Sequence, residues 1–256
     1  MNIALEYIKY RWNAKRRHGI HSPFVYELTD KCFESPFQEA DKTVLNNLFL
    51  SLKKNKRTIQ FTDFGAGSKK LGNLRSVKEL FHQSSSKGKF GKLFYQLASY
   101  YQPKTVLEFG TSLGTGTIHF ALGNPNSQVT TVEACPETFN LAQENFKKLH
   151  LDSVIGINST FFNYLETSDK KQQFDVIFID GHHDGEALLR YCKELSPCIH
   201  DETFLIIDDI RWSDSMFLAW KQLSESEDFH VSIDLFRMGI LLKRPKQEKE
   251  RFVVKL

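Results

Sequence analysis

The 256-residue sequence is poor in the features that mark secreted, zinc-binding and membrane proteins. It has four cysteines with neither a C-x-x-C pair nor a zinc-type spacing, which favours reduced thiols in a cytoplasmic protein over a disulfide framework. It has no apolar run of about 18 residues, and charges interrupt its first segment, MNIALEYIKYRWNAKRR, so we expect no membrane span and no signal peptide. The remaining composition, 41% hydrophobic and 25% charged, is that of an ordinary globular protein of one or two domains.

The net charge of +3 conceals an asymmetry between the two parts of the chain. Residues 1–104 contain 19 Lys and Arg against 8 Asp and Glu, whereas residues 105–256 contain 15 against 23. A basic front end favours an anionic partner such as RNA, a phosphorylated metabolite or a lipid head group. Lysine-rich helix faces in contact with solvent explain the same excess, so both interpretations stay open.

The first 83 residues predict a helical cap. An amphipathic helix is expected over 3–17, and a second begins after Ser22, which suits an N-cap, and Pro23, which suits the first helical turn. Further helices are predicted at 41–54 and near 74–82, within an otherwise irregular stretch from 55 to 88. The polar joint SSSKGK separates this cap, residues 1–83, from a second domain, residues 84–256, whose first helix is expected at 89–101.

Beyond Pro103, apolar strands alternate with amphipathic helices. Strands are predicted at 105–109, 128–133, 153–157, 174–180 and 203–208, and helices at 115–123, 136–149, 185–196 and 213–224. Continuous apolar runs such as FDVIFID suit parallel strands that are buried on both faces. The runs FHVSIDLF and MGILLKR, with Arg237 between them, predict a hairpin that ends the sheet with one antiparallel strand. The pattern predicts an α/β, doubly wound, Rossmann-like sheet.

The stretch VLEFGTSLGTGT, residues 106–117, has the strand, glycine turn and helix start of a nucleotide-binding loop. Gly110 permits a sharp turn and the close approach of a ligand, and the helix start offers free N–H groups to an anionic group. Glu133 ends the next strand, 23 residues later, where a carboxylate accepts both hydroxyls of a ribose. The glycine spacing G-x-x-x-G-x-G differs from the dinucleotide fingerprint G-x-G-x-x-G, and Glu108 before the first glycine also points away from it.

These segments resemble a known family. VLEFGTSLGTGT is similar to motif I of class I S-adenosylmethionine-dependent methyltransferases, in the form found in O-methyltransferases of the catechol and caffeoyl-CoA type. TTVEACPE resembles their ribose-binding strand, FDVIFIDGHHD their fourth strand with its Asp-Gly-x-His end, and LIIDDIRW their fifth. The ordered match covers about residues 84–244 and implies a seven-stranded, mostly parallel sheet with an antiparallel last strand. The front end is similar to uncharacterised methyltransferases of Bacteroidetes-type bacteria.

The resemblance implies S-adenosylmethionine as cofactor. Glu133 would bind its ribose, and Gly110, Thr111 and Ser112 would lie against its methionine part. Ser159 would lie beside the adenine, unless it is an ordinary turn serine. The full set of expected cofactor residues is Glu108, Gly110, Thr111, Ser112, Gly114, Glu133, Ser159 and Asp180.

Three acids, Asp180, Asp208 and Asp209, follow predicted strands. In the resembled enzymes Asp, Asp and Asn at these places hold a magnesium or calcium ion, so the resemblance implies Mg²⁺ or another divalent cation that orients the acceptor hydroxyl. The expected Asn is Asp209 here. Capping of the following helix and pairing with Arg211 are alternative roles for this carboxylate.

His183 stands where the catechol-type enzymes have a lysine. Histidine titrates near neutrality and suits a general base, so His183 and Asp180 are the predicted catalytic residues. Orientation of Asp180 and ligation of the ion are alternative roles for His183. His182 is expected to line the cleft, and Trp212 to form either a wall of the acceptor site or part of the core.

The sequence leaves the acceptor open. A small hydroxylated molecule is favoured, RNA is the alternative because of the basic front end, and a protein that binds S-adenosylmethionine without catalysis is a third possibility. Both a monomer and a homodimer are compatible with the sequence.

A second glycine stretch, FTDFGAGSKK (Phe61 to Lys70), is predicted not to bind the cofactor, since no strand with a terminal acid follows it at the required distance. A turn, or a small nest for an acceptor phosphate, is expected there instead.

Overall fold

The computed structural model describes residues 1–15, 21–62, 73–83 and 86–256. Its α-helices are α1 (Ile3–Asn13), α2 (Pro23–Glu27), α3 (Glu39–Lys54), α4 (Val77–Gln83), α5 (Gly88–Tyr101), α6 (Thr115–Gly123), α7 (Pro136–Lys148), α8 (Phe161–Thr167), α9 (Gly185–Leu195) and α10 (Asp214–Glu225). Its strands are β1 (Thr58–Phe61), β2 (Asn73–Ser76), β3 (Thr105–Phe109), β4 (Gln128–Glu133), β5 (Val154–Asn158), β6 (Phe174–Ile179), β7 (Ile199–Ile207), β8 (Val231–Asp234), β9 (Gly239–Leu242) and β10 (Glu250–Val253). A π-helical turn, Leu28–Cys32, continues α2, and a 3₁₀ turn, Ser196–Cys198, follows α9.

The central sheet has eight strands in the order β10-β8-β9-β7-β6-β3-β4-β5. The predicted α/β, Rossmann-like architecture is confirmed: β3 lies between β4 and β6, and all neighbours pair in parallel except β9, which runs antiparallel to β7 and β8. The predicted number of seven strands is wrong, because β10 adds an eighth strand beside β8. The antiparallel strand β9 lies between β7 and β8, inside the sheet instead of at its edge.

Helices cover both faces of this sheet. On one face, α5 and α6 pack against it through Phe94 and Phe120, whose rings contact each other and Phe178 of β6. On the other face, α9 and α10 bury Leu188 and Trp220 against β6 and β7. A buried side chain of this size stabilises the fold by about 1.5–3 kcal/mol, so both helix layers contribute to the stability of the sheet.

The front end contains more than the predicted helices. Ser22 caps α2 and Pro23 is its first residue, as expected. The stretch predicted to be irregular instead contains β1 and β2, which form an antiparallel pair. Helix α1 ends at Asn13 and lies against the far end of the sheet, where the Tyr10 hydroxyl donates a 2.6 Å hydrogen bond to the carbonyl of Val254.

All four cysteines are unpaired and buried. Within the described ranges, no helix is both long and apolar enough to cross a bilayer. Residues 63–70 of the second glycine stretch lie outside the described part of the chain, and the domain boundary at residue 83 stays a prediction.

Candidate active site

The carboxyl ends of the central strands lie in register at one edge of the sheet. The backbone N–H of Asp180 donates to the carbonyl of Phe109 at the end of β3 (2.8 Å), and that of Asp208 donates to Ile179 at the end of β6 (2.9 Å). Residues that are far apart in sequence are thereby fixed side by side. This edge carries the predicted cofactor loop and the predicted acids.

Gly110 begins the loop after β3 and has a φ of +102°. A Cβ at this position would lie 1.7 Å from the backbone oxygen of Asp180, so no other residue fits without moving the end of β6. Gly114 has a φ of +78°, and a Cβ there would approach the Phe146 ring to 2.4 Å. Gly110 therefore lets the loop pack closely against Asp180, and Gly114 lets it pack closely against α7.

Glu133, at the end of β4, faces the same loop. Its Oε2 accepts the N–H of Ser112 at 2.8 Å, and its Oε1 accepts the N–H of Cys135 at 2.9 Å. Burial raises the pKa of the Glu133 carboxyl, and these two N–H groups oppose that shift. The carboxylate is held in a fixed orientation between the loop and the start of α7.

Two adjoining cavities, of about 350 and 620 Å³, form a cleft along this edge. Six of the described residues line both of them: Phe61, Gly110, Glu133, Asp180, Gly181 and His182. The narrower cavity continues between Thr160, Phe161 and Phe162, whereas the wider one continues past Thr111 and Ser112 to His183, Asp209 and Trp212. The cleft thus brings together the predicted cofactor residues Gly110, Thr111, Ser112, Glu133 and Asp180.

The structure places Glu108 beneath the loop and not in this cleft. Its side chain is buried and accepts hydrogen bonds from the hydroxyls of Thr117 and Thr131. Burial raises the pKa of Glu108 to about 7, although the two hydroxyls work against this. Glu108 therefore supports the loop from the interior of the fold.

Gly114 and Ser159 are also absent from the lining of the cleft. Gly114 contacts α7 as described above. The Ser159 N–H donates to the carbonyl of Glu133, and its hydroxyl donates to the carbonyl of Thr160, both at 3.1 Å. These contacts match the turn serine that the sequence left as the alternative.

The predicted catalytic residues, Asp180 and His183, lie close to the predicted metal ligand Asp209 in the wider cavity. One potential ligand atom from each of Asp180, His183 and Asp209 lies within 4.8 Å of the other two. Nε2 of His183 is 3.9 Å from Oδ2 of Asp209, and the His183 ring lies 5.2 Å from the ring of Trp212. Trp212 is 65% exposed and forms a wall of the cavity, so its alternative assignment to the core is wrong.

Arg237 pairs with the third acid, Asp208, and also with Asp209 of this group. Its guanidinium pairs with both oxygens of the buried Asp208, at 3.1 and 3.2 Å, and its Nε also lies 3.0 Å from Oδ1 of Asp209. Asp208, which the resemblance implied as a third ligand, is not among the residues whose potential ligand atoms lie together. Burial and the charge of Asp208 raise the pKa of Asp209, while Arg237 and His183 oppose this effect.

The alternative pairing predicted for Asp209 is wrong as well. Arg211 instead makes a two-pronged contact with Asp234, at 2.6 and 2.8 Å. Its side chain is almost buried there.

Four residues of the cleft have left-handed backbones without being glycine. The φ angles are +49° at Ser112, +66° at His182, +29° at His183 and +50° at Asp209. Such conformations are unfavourable for residues with a side chain and concentrate at functional sites. Nδ1 of His182 is held by the hydroxyl of Tyr191 at 2.6 Å, which fixes this part of the cleft.

Comparisons with known proteins agree with this architecture. Residues 107–210 match a family described as a methyltransferase domain. The match covers less than half of the chain, so the similarity to methyltransferase domains applies to this segment. The matched segment runs from β3 to the residues after β7 and includes the loop, Glu133 and the three acids.

Solved methyltransferases share the fold of this domain. An O-methyltransferase from Bacillus cereus, in complex with SAH, is 17% identical with a TM-score of 0.55, over 84% of this chain and 95% of that chain. The SAH-bound methyltransferase PaMTH1 from Podospora anserina is 17% identical with a TM-score of 0.55, over 82% and 97%. The O-methyltransferase TomG from Streptomyces achromogenes, involved in tomaymycin synthesis, is 16% identical with a TM-score of 0.51, over 60% and 78%.

Two features of the cleft were not predicted from the sequence. Arg237 was assigned only to a hairpin, because its contact with the acids depends on how β9 pairs with β7. Phe161 was assigned to no element, although its ring stacks on Phe109 at a centroid distance of 4.7 Å and forms a wall of the cleft. The signal available for Phe161 was its aromatic pair with Phe162, a few residues after the predicted strand 153–157.

Proposed function

We propose that the protein transfers the methyl group of S-adenosylmethionine to a hydroxyl oxygen of a small molecule, with His183 as general base. The observation that carries this proposal is the convergence of Asp180, His183 and Asp209 beside the Gly110 loop. A cofactor loop and a group that accepts a proton thereby share one cleft. Methyl transfer to an oxygen nucleophile requires both.

Different residues along the cleft would bind different parts of the cofactor. Glu133 would accept the ribose hydroxyls, since its carboxylate faces the cavity and its orientation is already fixed by two backbone N–H groups. Gly110, Thr111 and Ser112 would contact the methionine part. The adenine would lie between Phe161 and Phe162, in the narrower cavity, near the position expected for Ser159.

The transfer itself is a displacement. The acceptor oxygen forms a bond to the methyl carbon as the carbon–sulfur bond breaks, and S-adenosylhomocysteine leaves. The hydroxyl proton passes to a ring nitrogen of His183. Asp209, 3.9 Å away, stabilises the imidazolium that forms, and the cleft walls hold the acceptor in line with the carbon–sulfur bond.

The cluster also fits a divalent cation, with a ligand set that differs from the predicted one. Two carboxylates and an imidazole from Asp180, Asp209 and His183 suit a transition metal such as Mn²⁺ better than Mg²⁺, which prefers oxygen ligands. Asp208 does not belong to this set, because Arg237 occupies both of its oxygens. When bound, such an ion would lower the pKa of the acceptor hydroxyl.

The acceptor class is tested by the transfer of labelled methyl groups. The protein is incubated with labelled S-adenosylmethionine and, separately, with small-molecule and RNA fractions of the source cell. Label in the small-molecule fraction supports the proposal, label in tRNA favours the alternative, and cofactor binding without transfer to any fraction indicates a non-catalytic protein. The same assay with EDTA, followed by added Mn²⁺ or Mg²⁺, separates metal-assisted from metal-free transfer.

The role of His183 is tested on whichever acceptor takes label. His183→Gln is expected to lower kcat by about 10²–10⁴-fold, since a positioned base contributes that much, while cofactor affinity is retained. His82→Gln, at an exposed position on α4, is the matched control and should turn over normally. Normal turnover by the His183 variant would overturn its assignment as base.

A further inference from the structure

Helix α1 packs on the body of the protein through its two tyrosines. Tyr10 is the buried residue of this helix, and its ring lies 5.1 Å from the ring of Phe236. The Tyr7 ring meets the same phenylalanine edge to face, with a centroid distance of 5.0 Å. These contacts fix which side of α1 faces the protein and which side faces solvent.

A second set of apolar side chains on α1 faces solvent. Leu5, Ile8 and Trp12 follow one another at spacings of three and four residues, so they lie in a row on the side of the helix opposite to Tyr10. Their exposed fractions are 54%, 57% and 89%. These three residues form the outer stripe of α1. Single exposed apolar side chains are common, but a contiguous row of them marks a contact surface.

Positive charge surrounds the outer stripe. Helical geometry places Lys9 on one side of it and Arg11 on the other, and the exposed Lys15 follows the end of the helix. Within the described part of the chain, neither Arg11 nor Lys15 has a carboxylate at ion-pair distance. The acid of the helix, Glu6, is paired with Lys9 at 2.8 Å and lies on the tyrosine side. The helix therefore presents an apolar surface bordered by cations.

An anionic membrane surface matches this arrangement better than a protein or a nucleic acid does. A bilayer accepts a protruding row of side chains without a complementary pocket, and it favours indole rings such as that of Trp12 at its interface. A second copy of the chain would bring the cations of two such helices together without an acid between them. RNA would stack on Trp12, but Leu5 and Ile8 offer no aromatic face to a base.

We propose that α1 binds the surface of an anionic membrane. The outer stripe would enter the boundary between headgroups and acyl chains, to a depth of about 5–10 Å. Arg11 and Lys15 would lie at the lipid phosphates, where each cation near the surface strengthens binding. The helix would lie in the plane of the interface. This binding depends neither on the methyl acceptor nor on the proposed function.

Flotation of the full chain with lipid vesicles tests the proposal. The vesicles consist of phosphatidylcholine alone or of phosphatidylcholine with about one third phosphatidylglycerol, at about 0.1 M salt. The protein is expected to bind the anionic vesicles at least about tenfold more tightly than the neutral ones. Tryptophan emission should shift to shorter wavelengths on binding, and Trp12→Gln should abolish this shift.

The contribution of the outer stripe is tested by a double variant. Leu5→Gln with Trp12→Gln should bind anionic vesicles at least about tenfold more weakly, because two apolar side chains no longer enter the interface. Both positions are exposed, so the fold should be retained. Leu50→Gln is the matched control, since this leucine of α3 is 53% exposed, and it should bind as the unmodified protein does.

The contribution of the cations is tested separately. Arg11→Gln with Lys15→Gln should weaken binding to the anionic vesicles about tenfold and leave binding to the neutral ones unchanged. Lys53→Gln with Lys54→Gln removes the same charge from exposed positions at the end of α3 and should have no such effect. A loss of the same size in both double variants would show that net charge alone drives binding and would overturn the proposal.

The remaining outcomes distinguish the other partners. Failure to float with anionic vesicles at millimolar lipid, or flotation that the Leu5 and Trp12 double variant retains, would overturn the proposal. A dimer detected by light scattering and lost in that variant, in a protein that does not float, would assign the outer stripe to a second copy of the chain. A tRNA gel shift lost in the same way would assign it to RNA.

Discussion

The guanidinium of Arg237 lies 3.0 Å from the carboxylate of Asp209 and also holds the buried Asp208. The resembled O-methyltransferases have an asparagine where this chain has Asp209, so the chain carries an additional negative charge at the strand ends. Arg237 supplies the matching positive charge. In this chain the additional acid and the arginine therefore form an ion pair.

Removing this cation should destabilise the protein. Arg237→Gln leaves the buried Asp208 without its counter-charge, and we expect a loss of about 1–3 kcal/mol in the free energy of unfolding, given that the arginine is partly exposed. Arg251→Gln, which removes an exposed pair with Glu225, should change it by less than about 0.5 kcal/mol. Urea unfolding of both variants makes the comparison, and equal stabilities would show that the Arg237 contact is not structural.

Asp180→Ala should abolish methyl transfer while leaving cofactor binding largely intact. Asp180 lines both cavities and lies in the cluster with His183, whereas the proposed ribose site is formed by Glu133 on a different strand. We expect kcat to fall by at least about 10²-fold. Steady-state rates and calorimetric binding of S-adenosylmethionine measure the two effects separately, and a variant with normal rates would exclude Asp180 from the site.

Glu133→Gln should weaken binding of S-adenosylmethionine. An amide has one acceptor oxygen where the carboxylate has two, and it loses the charge that strengthens hydrogen bonds to hydroxyls. The dissociation constant is expected to rise about 10-fold or more, which corresponds to about 1.5–3 kcal/mol. Glu137→Gln, on the exposed face of α7, is the control and should bind as the unmodified protein does.

Glu108 should make the stability of the protein depend on pH. Its pKa in the folded state, about 7, is above its ordinary value of 4.5, so the fold favours the neutral carboxyl. The stabilisation is complete at low pH and is lost as the pH rises through 7, by about 3 kcal/mol at most. Glu108→Gln is neutral throughout and should lose less stability between pH 5 and 8, as measured by urea unfolding at each pH. Parallel curves for the two proteins would contradict this.

The sequence predicted the elements that local pattern determines. Strands β3 and β4 have the predicted bounds, because each contains β-branched residues and ends directly before a turn. Strands β1, β2 and β10 were missed, since each has four residues and forms only through pairing with a distant or weakly patterned segment. Short strands of this kind carry too little periodicity to distinguish them from loops.

The sequence predicted which strand ends form the site, but it did not predict the individual contacts of the side chains there. Asp208 and Asp209 are adjacent, and the pattern places both at the end of β7. Which of them faces Asp180 depends on the φ of +50° at Asp209 and on Arg237, a residue of the hairpin between β8 and β9. Both are consequences of tertiary packing, which no local rule expresses.

The left-handed backbones of Ser112, His182, His183 and Asp209 limit how the protein can be made more robust. Glycine at any of these positions would relieve unfavourable torsion, yet it would also let the loop sample many arrangements before a ligand arrives. Each such residue costs about 1–3 kcal/mol of folding free energy, which the rigid sheet beneath has to offset. Selection for heat resistance alone would therefore be expected to replace these four residues first. Turnover would decrease as a result.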